Sequence, residues 1–282
     1  APKPNLYGGI IAKFLNLKFT VVSFSGMGFL FTGNLSIVNY IKKFFFEALL
    51  HYVYLNKKIY TIVQNKDDLN FLRKKYDLKK NIQLIKGGSG VNLKKLTKIK
   101  RNKTKNIVFS ARLVKSKGIV EFIKAAIKLK KTYPEWNFHI YGASDYKSND
   151  NFYLNNFKDE IKKRIIEYKG YTTNLNSILK NSEIFCLPSY REGMPKSILE
   201  ATAVGIPCVV SNAVGIKESI INNKTGLLFK NKDYKDLARK ISYLIDNPKK
   251  RREFSKRGKL FVKEFASIKN VTKKIFHIYE LQ

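Results

Sequence analysis

The apolar pattern of this chain changes period repeatedly, and that alternation restricts the fold more than any other feature. FTVVSF (19–24), KIYTIV (58–63), IQLI (82–85), NIVFSA (106–111), NFHIYG (137–142), EIFCLP (183–188), PCVVS (207–211) and GLLF (226–229) are short and largely apolar. Runs of this kind, without polar alternation, read as strands buried on both faces. Most are separated by stretches with helical spacing: 35–54, 66–76, 117–132, 155–165, 195–204, 233–246, 249–266 and 268–280. Such alternation predicts an α/β chain built on parallel sheets with helices on both sides.

A seam falls in GGSGVNLKKLTKIKRNKTK (87–105), where glycines give way to a basic polar run and then to a fresh strand. The expected organisation is a first unit over 1–92, a second over 93–266, and a last helix over 267–282 that returns to the first unit. The second unit holds a full set of alternating elements. The first holds about three strands, and a parallel sheet that small leaves an apolar edge unpaired. The start, APKPNLYGGI, lacks a methionine and the pattern of a signal peptide. The first unit is therefore expected to be incomplete at its N-terminal end.

Composition narrows the partners. A chain of 282 residues with a formal net charge of +34 favours anionic ones: phosphorylated substrates, an anionic membrane surface or nucleic acid. The basic residues are dispersed, with their densest cluster in NPKKRREFSKRGK (247–259), and no aromatic platform or nucleic-acid motif accompanies them. Nucleic acid is accordingly not expected. No apolar run reaches the length of a membrane span. The segment IKKFFFEALLHYVYL (41–55) is apolar nearly all round, which favours a buried core helix over one resting on a membrane. Cys186 and Cys208 fit no metal or redox spacing and are expected as buried thiols. GMGFLFTG (26–33) and GGSGVNLKK (87–95) fail the spacing of dinucleotide and Walker loops.

Two stretches carry chemistry. In FSARLVKSKGIVEFIKAA (109–126), Arg112 and Lys117 follow a strand and precede a helix that opens at Gly118. Two cations beside a helix N-terminus form an anion site, although two surface cations among many would look the same. In YREGMPKSILEATAVGIP (190–207), Glu192 precedes a helix that Pro195 begins, and Glu200 lies inside it. Helical rise allows the two acids a separation of up to about 12 Å. Glu192 could serve as a helix cap; Glu200, mid-helix, could not. Gly193, Met194 and Pro195 offer backbone groups suited to phosphate.

The pair of glutamates resembles the E-x7-E motif of retaining glycosyltransferases of the GT-B fold, above all family 4. The resemblance extends through FSARLVKSKGI and almost all of 168–229, and KGGSGVNLKKL (86–96) is similar to that family's interdomain segment. There Asn92 stands for the usual aspartate and Ser89 for the usual asparagine. The resemblance implies two Rossmann-like domains and a nucleotide-sugar donor, UDP-linked, with no further cofactor and no metal. It implies that Arg112 and Lys117 neutralise the donor diphosphate and that Glu192 lies by the donor sugar. Gly193, Met194 and Pro195 would then present backbone to sugar and phosphate, Glu200 would hold the ribose, and Tyr171 would meet the uracil. The stretch 3–33 is similar to enzymes that extend lipid-linked oligosaccharides. In these a basic or histidine residue lies just before the lysine-proline segment, at a position that would precede Ala1; His51, His139 and His277 match no such motif.

The expected activity is transfer of a hexose or N-acetylhexosamine from a UDP-sugar to a lipid-linked or surface-polysaccharide precursor. It is expected in the cytoplasm at the inner face of the membrane, with an anionic surface as partner. Rival readings are a GT-B sugar-nucleotide epimerase and an inactive chain that still binds UDP.

Overall fold

A computed structural model describes residues 2–28, 31, 36–144 and 154–280. Residues 1, 29–30, 32–35, 145–153 and 281–282 lie outside that set, and with them part of the GMGFLFTG stretch and both chain ends.

The chain forms two parallel sheets. The first unit runs α1 (Pro2–Phe14), β1 (Thr20–Phe24), α2 (Ile37–Tyr54), β2 (Ile59–Val63), α3 (Lys66–Tyr76) and β3 (Ile82–Leu84), with strand order β1-β2-β3. The second opens with α4 (Leu93–Leu96), β4 (Asn106–Ser110), α5 (Ile119–Lys130) and β5 (Asn137–Tyr141). It continues through α6 (Lys158–Lys162), β6 (Glu167–Tyr168), α7 (Leu175–Lys180), β7 (Ile184–Leu187) and α8 (Lys196–Val204). It closes with β8 (Cys208–Ser211), β9 (Gly226–Phe229), α9 (Tyr234–Asp246) and α10 (Pro248–Phe265). Its strand order is β6-β5-β4-β7-β8-β9, all parallel.

The continuous apolar strands are explained by burial on both faces. In β4, Ile107 and Phe109 join the core beneath α5 and α9, while Val108 joins the opposite core with α8. In β7, Ile184 and Cys186 face the first core and Phe185 and Leu187 the second. Cys186 and Cys208 are free and fully buried, and burial pushes the Cys208 thiol up to about 12. Both therefore behave as small apolar residues.

Helix α11 (Ile268–Tyr279) lies on the first sheet, where Val271 and Ile278 are buried with Ile62 and Ile85. The two connections between the units run side by side. Val91 N donates to Ala266 O at 2.8 Å and Ile268 N to Val91 O at 3.2 Å. The contact is close enough that a Cβ on Gly90, which has φ +76°, would stand 2.8 Å from Ile268 Cα.

Several elements depart from the sequence reading. Helix α1 was not expected, because prolines and paired glycines open it. The prolines occupy the first turn, where an N–H has no helical partner, and Gly9 lets α1 approach α2: a Cβ there would meet Val53 Cγ1 at 2.6 Å. The short elements α4, α7 and β6 were also missed. The helix expected over 155–165 reduces to a 3-10 turn, Leu154–Phe157, followed by α6. Pro195 caps α8 rather than beginning it. The segment 41–55 is only partly core. Phe46, Leu50, Val53 and Tyr54 are buried, while Ile41, Phe44, Phe45, Leu49, Tyr52 and Leu55 are exposed. A helix on a sheet buries one side, and among the described residues nothing covers the other.

Candidate active site

The strand order changes direction between β4 and β7. From β4 the chain proceeds outward to β5 and β6, and from β7 outward to β8 and β9. The loops leaving β4 and β7 therefore diverge, and a crevice opens at the carboxyl ends of these neighbouring strands. Arg112 and Lys117 lie on the loop after β4; Arg191, Glu192 and Gly193 lie on the loop after β7.

The two loops are stitched together. Tyr190 N donates to Ser116 O at 2.8 Å, and Ser189 Oγ lies 3.2 Å from the same carbonyl oxygen. Gly118, at the head of α5 with φ +74°, faces Pro188 so closely that a Cβ would lie 2.0 Å from its carbonyl oxygen. Glycine is needed there for both the conformation and the approach.

Arg112, Ser116, Lys117, Arg191, Glu192 and Gly193 line a cleft of about 270 Å³, together with Pro2, Ser25, Gly26 and Gly28 of the first unit. Lys117 Nζ forms an ion pair with Glu192 Oε1, and Ser189 Oγ donates to the same oxygen at 2.9 Å. Glu192 N donates to Val214 O at 3.1 Å, which ties the loop to the end of β8. The first unit closes on the site so tightly that a Cβ on Gly193 would lie 1.6 Å from Ser25 O.

The cleft thus gathers Arg112, Lys117, Glu192 and Gly193 in one place. Met194 and Pro195 are buried beneath it, where the Met194 side chain packs with Ile198 and Leu199. Glu200 and Tyr171 are not among the residues lining this cleft. Tyr171 is exposed just after Gly170, which has φ +73°. Glu200 is half-buried on α8 with Lys196 Nζ 3.7 Å from Oε1. Burial raises its carboxyl above the usual range, and the lysine offsets that only in part. An acid raised on folding makes the folded state bind protons more readily, so its charge opposes folding increasingly as pH rises through its titration range. Glu200→Gln is therefore expected to melt at a higher temperature than the wild type near pH 7, with the gap closing in acid. A series of melting curves that never places the variant above the wild type would contradict this.

Sequence reasoning missed the residues that the first unit brings to the site. Arg191 pairs with Asp68, a wholly buried residue of α3, and Asn65 Nδ2 donates to Gly193 O at 3.1 Å. The only available signal was that Arg191 directly precedes Glu192, and that does not identify a partner distant in sequence.

Two parallel α/β units, with a cationic crevice at the switch point of the second sheet, form a GT-B arrangement. Sucrose-phosphate synthase from Thermosynechococcus elongatus superposes with a TM-score of 0.81 at 19% identity, over 98% of this chain and 71% of that one. The Anabaena protein HepE, crystallised with UDP, superposes with a TM-score of 0.82 at 14% identity, over 100% of this chain and 77% of that one. Residues 96–261 match the family model for glycosyl transferases group 1. The chain is 30% identical over 277 residues to an N,N'-diacetylbacillosaminyl-diphospho-undecaprenol alpha-1,3-N-acetylgalactosaminyltransferase of Campylobacter jejuni, covering 91% of this chain and 69% of that protein. It is 33% identical over 157 residues to an Escherichia coli UDP-Gal:alpha-D-GlcNAc-diphosphoundecaprenol alpha-1,3-galactosyltransferase, covering 54% of this chain and 39% of that one. The chain belongs to the group 1 glycosyl transferases.

Proposed function

We propose that this protein transfers a hexose or N-acetylhexosamine from a UDP-sugar to a lipid-linked or surface-polysaccharide precursor, with retention at the anomeric carbon. The observation that carries the reading is the meeting of Arg112, Lys117, Glu192 and Gly193 in one cleft at the switch point between β4 and β7. Breaking the bond between sugar and diphosphate develops negative charge on the leaving group. Preorganised cations and the N–H groups at the head of α5 stabilise that charge. Arg112 and Lys117 fill the role that a metal ion has in other sugar transferases, and the reaction is proposed to need none.

In this reading Glu192 lies beside the transferred sugar, the backbone of Gly193, Met194 and Pro195 meets sugar and phosphate, Glu200 accepts from the ribose hydroxyls and Tyr171 lies by the uracil. The two relatives named above are transferases acting on undecaprenol-linked sugars, which favours transfer over epimerisation. Thermal melting with a panel of nucleotides tests the donor site. A ligand at 100 times its Kd stabilises by about 2.7 kcal/mol, so UDP raises the melting temperature where equal cytidine diphosphate does so less. A UDP shift that survives both Arg112→Ala and Glu200→Ala removes the proposed site.

The acceptor reading extends to the membrane. Among the described residues no helix is long and apolar enough to span one. Instead α1 and α2 present an apolar surface. Phe14 is 88% exposed, Ile37 82%, Phe44 65% and Phe45 61%. On α2 this surface lies opposite the buried Phe46, Leu50, Val53 and Tyr54, and helical spacing puts Lys42 on a border between the faces, while Lys43 lies on the buried side with its Nζ 5.1 Å from the centre of the Phe31 ring. A lysine on such a border reaches lipid phosphates while the apolar side chains enter the acyl boundary. The protein is therefore proposed to lie peripherally on the anionic inner face of the cell membrane. Vesicles containing phosphatidylglycerol should sediment it, phosphatidylcholine vesicles should not, and Phe44→Glu with Phe45→Glu should leave it in solution. Equal sedimentation by both lipids, or by the double variant, contradicts the proposal.

A further inference from the structure

The loop after β7 is anchored alternately to the two units. Arg191 pairs with Asp68 Oδ1 on α3 and donates through Nη1 to Phe31 O at 3.2 Å, both in the first unit. Glu192 is fastened to the second unit by Lys117, by Ser189 Oγ at 2.9 Å and by its own N–H to Val214 O at 3.1 Å. Gly193 O returns to the first unit and accepts from Asn65 Nδ2 at 3.1 Å. The Glu192 carboxylate therefore sits between two residues gripped by the opposite unit.

The grip is built into the start of α3. Asn65 caps this helix, accepting from Asp68 N at 2.8 Å, and its Nδ2 also donates to Asp68 Oδ2 at 2.8 Å. One residue thus orients the acid that pairs with Arg191 and bonds Gly193 directly. Asn65 and Asp68 are wholly buried in the closed arrangement. Beside them Lys66 N donates to Glu218 Oε1 at 2.7 Å, and Lys217 Nζ lies 2.9 Å from Asp67 Oδ2. Separating the units breaks the contacts that cross between them, those of Arg191 with Asp68 and Phe31, Gly193 with Asn65, Lys66 with Glu218 and Lys217 with Asp67, and so releases Arg191 and Gly193 on either side of Glu192.

We propose that Asn65 and Asp68 are positioning residues: they hold Arg191 and Gly193 on either side of Glu192 when the two units are closed, and so fix the stretch of backbone that carries the Glu192 carboxylate in its cleft-facing place. Closure and assembly of the reacting site become a single event, because the residues that lock the interface flank the acid beside the transferred sugar. The inference rests on the reading of Glu192 given above. It assigns to α3, which contributes nothing to the lining of the cleft, control over the geometry of the second unit's loop.

The test uses the full chain and Asp68→Asn, Asn65→Ala and the exchanged pair Asp68→Arg with Arg191→Asp. Titration calorimetry with UDP, initial rates of UDP release from UDP-N-acetylgalactosamine and UDP-N-acetylglucosamine, and amide hydrogen exchange at 191–193 are measured on each. Either single variant is expected to lower kcat at least tenfold, with KM and the UDP Kd changed less than threefold. The amides at 191–193 should exchange at least tenfold faster, and the exchanged pair should recover much of both losses. A helix or interface that merely contributed stability would move the melting temperature without this separation of kcat from KM. Wild-type exchange at 191–193 in both single variants overturns the proposal, whatever the turnover. Failure of the wild type to bind UDP would instead sink the donor reading, while the exchange data still decide the role of Asn65 and Asp68.

Discussion

Replacing Lys117 by alanine is expected to lower the turnover number by about 100- to 1,000-fold, the loss typical when one preorganised charge partner of a developing anion is removed. The lysine has two partners to lose. Its ammonium faces the cleft beside Arg112, and it pairs with Glu192, whose other bond to the same oxygen comes from Ser189 Oγ at 2.9 Å. On the proposed reading, removing it would strip positive charge from the departing diphosphate and loosen the acid beside the sugar. Because both effects pass through one contact, Lys117→Ala combined with Glu192→Gln should cost less than the sum of the single losses. Arg112→Ala should show a loss of similar size that is additive with Glu192→Gln to a greater degree. Rates of UDP release for the three single variants and the two double variants decide this. A Lys117→Ala enzyme within threefold of the wild type would end the assignment of that cleft to the diphosphate.

Gly193→Ala tests the interface rather than the charge. The added Cβ would stand 1.6 Å from Ser25 O and 2.2 Å from Ser25 C, and both are backbone atoms that no rotamer change can move aside. Retreat in the other direction is blocked as well, because Gly215 packs against the same loop: a Cβ on it would lie 2.4 Å from Gly193 O. Relief therefore comes from opening the two units. A displacement of about 1 Å at a reacting centre costs on the order of 100-fold in rate, so transfer should fall by about that factor. The cores on both faces of the second sheet do not involve this contact, so UDP should still raise the melting temperature. Small-angle scattering should show a larger radius of gyration for the variant. A Gly193→Ala protein with unchanged scattering and rate would mean that the approach of the units is not what the site requires.

Much of the second unit could be read directly from local pattern. Strands from 106 to 229 announced themselves because burial on both faces demands uninterrupted apolar residues, as Ile107, Val108 and Phe109 illustrate. Arg112, Lys117 and Glu192 stood out because each lies just beyond a strand end and before a helix. The short elements α4 and α7 and the two-residue β6 carried too few residues to establish a period. Helix α1 was hidden by prolines and glycines whose tolerance depends on the first turn and on contact with α2. The outer face of α2 was misjudged because an apolar surface has the same composition whether protein, lipid or nothing covers it.

Local periodicity, turn residues and charge by themselves determined that this chain is an α/β protein of parallel sheets with cations and acids collected at strand ends, since those properties depend only on near neighbours in the chain. Tertiary structure alone decided that β4 lies beside β7, that α3 reaches Arg191 and Gly193, and that Glu200 stands apart from the cleft lined by Lys117. Strand order and docking of the units arise from contacts between residues far apart in sequence, such as Asp68 with Arg191. Neither partner's immediate neighbours carry information about the other.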